Sequence, residues 1–355
     1  MTDLYPMLIE PRYDERIWGG HNLAQKLGKT APPDKLIGES WEVYEENRVM
    51  NGRYVGQTVG ELRRQMGRAL MGKVSPDELF PLLTKLIDAQ DVLSVQVHPD
   101  DRFAREHEHQ PYGKTECWYI IDAVPGAELI YGFSRDSSPE EYERLVSEGK
   151  LEAILRSLPV KPGDVIYLPA RTVHAIGAGI VLYELQQTSD ITYRIYDWNR
   201  RDASGKPREL HVERALQVLD YHRCTRGPIR PLRMPDGQRT MLIAGPYFSM
   251  ELVEADLAVA IDTYQSPVAV CALERPLMAG TGSDDAAVLA RYSSLLVPAA
   301  AERYTLQPEP PQGGGFRALA AYVPTSTEAT RSDLIDRGAS PAQVDEFLAQ
   351  FAHAS

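Results

Sequence analysis

The sequence predicts a mainly β fold divided into two domains. Three observations carry that expectation. Short runs rich in Val, Ile, Tyr and Trp recur along the chain between Gly, Pro and Asp turns. Helical patterns are fewer and grouped. A Pro/Gly-rich interval, Cys224 to Gln238, separates two series of strand-like runs.

In chain order, the strand-like runs are ECWYIIDA (116–123), AELIYGF (127–133), DVIYLPA (164–170), GIVLYELQQ (179–187) and TYRIYDW (192–198). Beyond the interval come MLIAGPYFSMELVEA (241–255) and SSLLVPAA (293–300). Helices are predicted over 58–70, 75–89, 137–158 and 209–222, the third opened by Ser138 before Pro139, Glu140 and Glu141. The expected division is 1–225, 239–325 and a helical tail, 326–355. In that tail a Ser cap at 340, Pro341 and apolar Val344, Phe347, Leu348 and Phe351 describe an amphipathic helix, packed on the body or on a partner.

Composition sets limits on function. With 355 residues and 43% hydrophobic content, the chain can bury one large core or two ordinary ones. Its net charge of -12 argues against a surface for nucleic-acid backbone or anionic lipid, so an anionic substrate has to be caught by a few placed cations. No run of about 20 apolar residues offers a membrane span. The start lacks a signal-peptide profile, so the expected location is the cytoplasm. Cys117, Cys224 and Cys271 are widely spaced, without CxxC, and read as reduced thiols.

The stretch LSVQVHPDD, Leu93 to Asp101, carries the first hint of chemistry. Side chains two apart in a strand share a face, so Ser94, Gln96 and His98 line one side and Leu93, Val95 and Val97 the other. Taken alone this is an antiparallel strand with one solvated face. Two further stretches give it partners. In GKTECWYII, Lys114, Glu116 and Trp118 share a strand face, and in LPARTVHAI, His174 enters a strand after a Pro-containing turn. If the stretches pair in one sheet or barrel, Gln96, His98, Glu116 and His174 converge, a donor set that suits a divalent ion, zinc first, in an open catalytic site. Glu116, flanked by apolar residues, would be costly to bury unpaired. The HxH at His107 and His109 sits in a charged, loop-like stretch and reads as solvated.

Other chemistry is set aside. Both GKT sequences, Gly28–Thr30 and Gly113–Thr115, lack the phosphate-loop glycine five positions earlier, where Leu23 and Glu108 stand. IGAGIVL lacks a third glycine and runs into a strand pattern, so it is no dinucleotide fingerprint.

LSVQVHPDD, YGKTECWYII, GDVIYLPARTVHAI and YELQQTSDITYRIYDWNR, with IWGG (17–20) and IGESWEV (37–43), resemble the signature blocks of the type I mannose-6-phosphate isomerases, short bacterial class. The resemblance covers residues 1 to about 325; the tail departs from the pattern. It implies two cupin, or jelly-roll, β domains with accessory helices near the active site; the second, whose YSSLLVPAAAERYTL (292–306) echoes GDVIYLPARTVHAI without its histidine, reads as metal-free. It implies a zinc-dependent aldose–ketose isomerase, acting on mannose 6-phosphate and fructose 6-phosphate through an enediol. By the same resemblance Gln96, His98, Glu116 and His174 match the zinc ligands, Ser94 and Lys114 match positions that hold substrate phosphate, Arg194 matches the active-site arginine, and Asp190 matches an acid of the proton relay. Asp190, Glu184, Lys114 and a zinc-bound water all stand as candidates for the base, Glu184 also as a substrate contact; a simple Asp190–Arg194 ion pair is the plain alternative. Competing readings are an isomerase of a related aldose, an iron oxygenase and a non-catalytic sugar-phosphate sensor. The partners expected are a small sugar phosphate, no nucleic acid and no membrane, with a monomer favoured over a dimer through the tail.

Overall fold

The computed structural model describes residues 4–201, 205–282, 286–310 and 314–352; the last three residues of the predicted tail lie outside this set. The fold is mainly β, built from antiparallel sheets. A six-stranded sheet runs in the order Arg12–Gly20, Ile37–Val43, Leu82–Ala89, Ile180–Gln187, Glu116–Ala123 and Val165–Leu168. Facing it is a five-stranded sheet: Tyr193–Tyr196, Val95–Val97, His174–Ile176, Glu128–Phe133 and Leu155–Pro159. A seven-stranded and a four-stranded sheet follow, made from residues 232–322, except that the Met7–Leu8 strand joins the seven-stranded sheet beside Ser294–Val297.

Alternation in sequence becomes layering in space. Val95 and Val97 pack outward with Phe133, Tyr142, Leu145 and Val218, under helices Pro139–Ser147 and Val212–Val218. Trp118, Ile120, Ile166, Ile176 and Leu182 fill the space between the first two sheets. Cys117, Tyr119, Tyr183 and Leu185 point the other way, into a core shared with the seven-stranded sheet through Val270 and Leu295. Among the described residues, no helix is long and apolar enough to cross a membrane.

Three expectations about helices need correction. The 75–89 stretch is not a helix: Leu82–Ala89 is a central strand, every residue of it buried, between Ile37–Val43 and Ile180–Gln187. A strand buried on both faces reads as a continuous apolar run, which periodicity cannot tell from a buried helix. The helix expected over 137–158 ends at Ser147, before Gly149 at φ +66°, and Leu155–Pro159 is a strand. That expected over 209–222 is only Val212–Val218. In the tail, Pro341–Ala349 is helical as predicted, and a second helix, Thr327–Asp336, precedes it. Val344, Phe347 and Phe351 are buried in the shared core, and Arg226 donates to the carbonyls of Gln350 and Ala352, so the tail packs on the body.

Candidate metal centre

Gln96 stands in the middle of its sheet, opposite His174 on one side and Arg194 on the other. Since Val95 and Val97 are committed to the helical layer, Ser94 and Gln96 turn toward the facing sheet. Glu116 opens a strand of that second sheet, opposite Gln186. The two imidazoles and the carboxylate thus come from two sheets that face across one interior, the barrel alternative of the sequence reading.

The loop that brings Lys114 and Glu116 in is tied at every residue. The Lys114 N–H donates to the Pro99 carbonyl (3.0 Å) and the Gly113 N–H to the Asp101 carboxylate (2.8 Å). The Thr115 N–H donates to the Gln187 side-chain oxygen (2.9 Å), and the Gln187 amide nitrogen donates to Asp101 (2.9 Å). At Gly113 the chain passes so close to residues 99–101 that a Cβ would lie 2.5 Å from the Pro99 carbonyl oxygen; only glycine fits.

Ligand-type atoms of His98, Glu116 and His174 all lie within 4.8 Å of one another, and all three residues are buried. Each imidazole uses Nδ1 on a backbone carbonyl, His98 on Ile191 (2.8 Å) and His174 on Thr172 (2.9 Å), which turns both Nε2 atoms inward. Nε2 of His174 is 3.1 Å from Oε1 of Glu116, and Nε2 of His98 is 3.7 Å from Oε2. His98 Nε2 and both Glu116 oxygens are buried without a hydrogen-bond partner. Leaving three such atoms unfilled is costly, and a divalent cation is the group that would fill them together.

The charges agree with that fit. Burial alone would raise the Glu116 carboxyl, but Lys114, whose Nζ lies 3.2 Å away, and the two imidazoles hold it well below the usual carboxylate range. Burial, and then Lys114, push the His98 imidazole well below its ordinary value. A carboxylate and inward-facing ring nitrogens are a zinc-type donor set. Gln96 is adjacent, with its amide nitrogen 3.3 Å from His174 Nε2; as a ligand it would present its oxygen instead.

Arg194 donates from Nε to the Ser94 hydroxyl (3.3 Å), so these two expected substrate residues meet. Glu184 is buried, on the strand that holds Gln186; Oε1 accepts from the Trp118 indole (2.9 Å), and Oε2 is 3.3 Å from Nζ of Lys85. Asp190 is exposed and forms no ion pair with Arg194; it lies next to Ile191, whose carbonyl holds His98. His107 and His109 are exposed, as expected, the His107 ring against Phe103.

Sequence reasoning missed Lys85. It is buried, lies over the Trp41 ring at 4.6 Å, and keeps its charge: burial lowers its pKa, but Glu39, Glu184 and Glu116 together raise it above the ordinary value. A lysine inside the apolar run LLTKLIDA was the available signal. Gln186 was missed too. Its amide nitrogen donates to the carbonyls of Gln187 (2.9 Å) and Ser189 (2.7 Å), shaping the turn that leads to Ile191.

Residues 7–119 match the family model described as phosphomannose isomerase type I, catalytic domain. The mannose-6-phosphate isomerase ManA of Bacillus subtilis is 44% identical over 250 residues, which is 69% of this chain and 78% of that protein. The mannose-6-phosphate isomerase of Streptococcus mutans is 41% identical over 249 residues, 69% of this chain and 77% of that protein. Among solved structures, the mannose 6-phosphate isomerase from Bacillus subtilis superposes with a TM-score of 0.80 at 33% identity, covering 89% of this chain and 99% of that one. A zinc-bound mannose 6-phosphate isomerase gives a TM-score of 0.72 at 15% identity over 90% of this chain and 99% of that one, a likeness of fold.

Proposed function

Because the chain belongs to the type I phosphomannose isomerases, a cupin-type enzyme family, we propose that it interconverts mannose 6-phosphate and fructose 6-phosphate, with zinc held by Gln96, His98, Glu116 and His174. The observation that carries the reading is the buried His98–Glu116–His174 group, whose inward-facing atoms lack partners.

Aldose–ketose isomerisation moves a proton between C2 and C1 of the sugar and must hold a phosphate. When bound, zinc supplies a Lewis acid that polarises the C1 and C2 oxygens. The protein's own groups do the rest. Arg194, braced on Ser94, meets the phosphate as a fixed guanidinium. Lys114 adds a second cation where an acidic protein needs one and keeps Glu116 ionised. Glu184 is the base: it is buried, its Oε1 is committed to the Trp118 indole, and Oε2, ion-paired with Lys85 at 3.3 Å, is the oxygen that takes the proton from one carbon and returns it to the other. Lys85, held in its charged form by Glu39, Glu184 and Glu116, fixes the position of that oxygen. Asp190, exposed beside Ile191 whose carbonyl holds His98, is not taken as the base. A dimer through the tail is disfavoured, since the tail's apolar residues are spent on its own core, and we take the chain as a monomer.

The test is a product assay for fructose 6-phosphate from mannose 6-phosphate, beside the same assay for fructose from unphosphorylated mannose. Turnover confined to the phosphorylated sugar is expected. Equal turnover of both would remove Arg194 and Lys114 from the phosphate role, and turnover of neither would end the isomerase reading.

A further inference from the structure

Tyr193–Tyr196 is the edge strand of the five-stranded sheet; within that sheet only Val95–Val97 pairs with it. Edge strands leave outward N–H and C=O groups without ladder partners. At Arg194 both are filled by one residue. The Arg194 N–H donates to Nδ1 of His211 (3.2 Å), and the His211 N–H donates to the Arg194 carbonyl (2.7 Å). His211 therefore occupies the place of a residue in a missing neighbour strand, with its imidazole as the acceptor.

The same return segment holds the side chain. Arg194 Nη1 donates to the Glu209 carbonyl (3.0 Å), while Nε donates to Ser94 (3.3 Å). Arg208, one residue earlier, is bonded to Asp197 from Nε (2.7 Å) and fixes the other end of the segment. The inner ladder does not fix this stretch by itself, because the register against Val95–Val97 shifts between Arg194 and Tyr196, a bulge that frees the strand to re-aim side chains. A second observation points the same way. His211 sits at the N-cap of helix Val212–Val218, a position whose side chain usually bonds the first turn, and it makes no capping bond. Its imidazole is turned back to Arg194.

We infer that His211 is a positioning residue, which completes the edge of the sheet at Arg194 and so presents the guanidinium, already placed, to the anionic end of the substrate. The inference rests on the isomerase reading for the identity of that substrate. Preplacement matters because an arginine free to wander would lose entropy on each binding event.

The test compares wild type with His211→Ala, which removes the acceptor, and His211→Asn, whose side-chain oxygen can take the place of Nδ1. In the alanine variant KM for mannose 6-phosphate is expected to rise about tenfold, with kcat within about twofold and zinc content unchanged, and asparagine restores KM. An unchanged KM in the alanine variant, or an equal rise in both variants, overturns the inference. Calorimetric dissociation constants for mannose 6-phosphate on the same three proteins separate the two claims. If wild type binds the sugar phosphate without turnover, the isomerase reading falls, and the order of affinities, wild type and asparagine tight and alanine weak, still decides the role of His211. Wild type that does not bind overturns both.

Discussion

Glu184 and Asp190 are six residues apart, and both were sequence candidates for the base, yet their surroundings differ completely. Glu184 is enclosed, with the Trp118 indole on one oxygen and Lys85 near the other; Asp190 faces solvent. Glu184→Gln is therefore expected to lower kcat by roughly 10²–10⁴ with zinc retained, and Asp190→Asn to stay within a few-fold of wild type, in a steady-state product assay. His98 yields a pH prediction. Burial, and then Lys114, hold its imidazole well below the ordinary imidazole range, so it takes up a proton only in more acid solution. Zinc release followed with a colorimetric chelator should therefore lie on the acid side of the ordinary imidazole range. Release centred at the ordinary imidazole value would show that the burial assigned to His98 is wrong.

Elements were legible where one face is buried and the other is committed to something else. Val95–Val97 and Glu116–Ala123 alternate cleanly because each separates a helical or shared core from the interior between the two sheets. Leu82–Ala89 was unreadable because both of its faces are buried, and with it went Lys85. Helix Thr327–Asp336 escaped notice because it presents little apolar surface; beyond Leu334, which enters the shared core, it is held by charge. Arg337, just past its end, donates to Glu251 (2.7 Å), which is almost wholly buried in the seven-stranded sheet. Arg337→Ala leaves that buried carboxylate without its counter-charge, with only the Tyr264 hydroxyl on it, so the variant is expected to lose ~3–5 kcal/mol in urea unfolding while its kcat/KM per folded molecule is unchanged. Loss of activity without loss of stability would mean that the tail reaches the site.

At the scale of the whole molecule, the metal-centred sheets and the second sheet pair are one folding problem. Lys29 and Glu42 form a buried ion pair (2.6 Å), and the pair reaches across to the seven-stranded sheet through the Tyr292 carbonyl (2.8 Å) and the Ser294 hydroxyl (3.2 Å). Lys29→Met, which leaves Glu42 uncompensated, is expected to destabilise both sheet pairs together, as a single shifted denaturation transition. Two resolved transitions would instead mean that the sheet pairs unfold independently. The convergence of Gln96, His98, Glu116 and His174 was legible because strand parity sorts side chains by face, once the three stretches are taken to enclose one interior. What stayed hidden, Lys85, Gln186 and His211, depends on strand order and on an edge, which sequence spacing does not encode.

The central claim is that the His98–Glu116–His174 group is the zinc centre of a mannose 6-phosphate isomerase. Its most direct test is the rate of fructose 6-phosphate formation on protein stripped with a chelator and resupplied with zinc, beside a His98→Ala variant treated identically. Activity that vanishes on stripping, returns with zinc and never returns in the variant is the predicted result. Full activity in stripped protein, or zinc-restored activity in the variant, would contradict it.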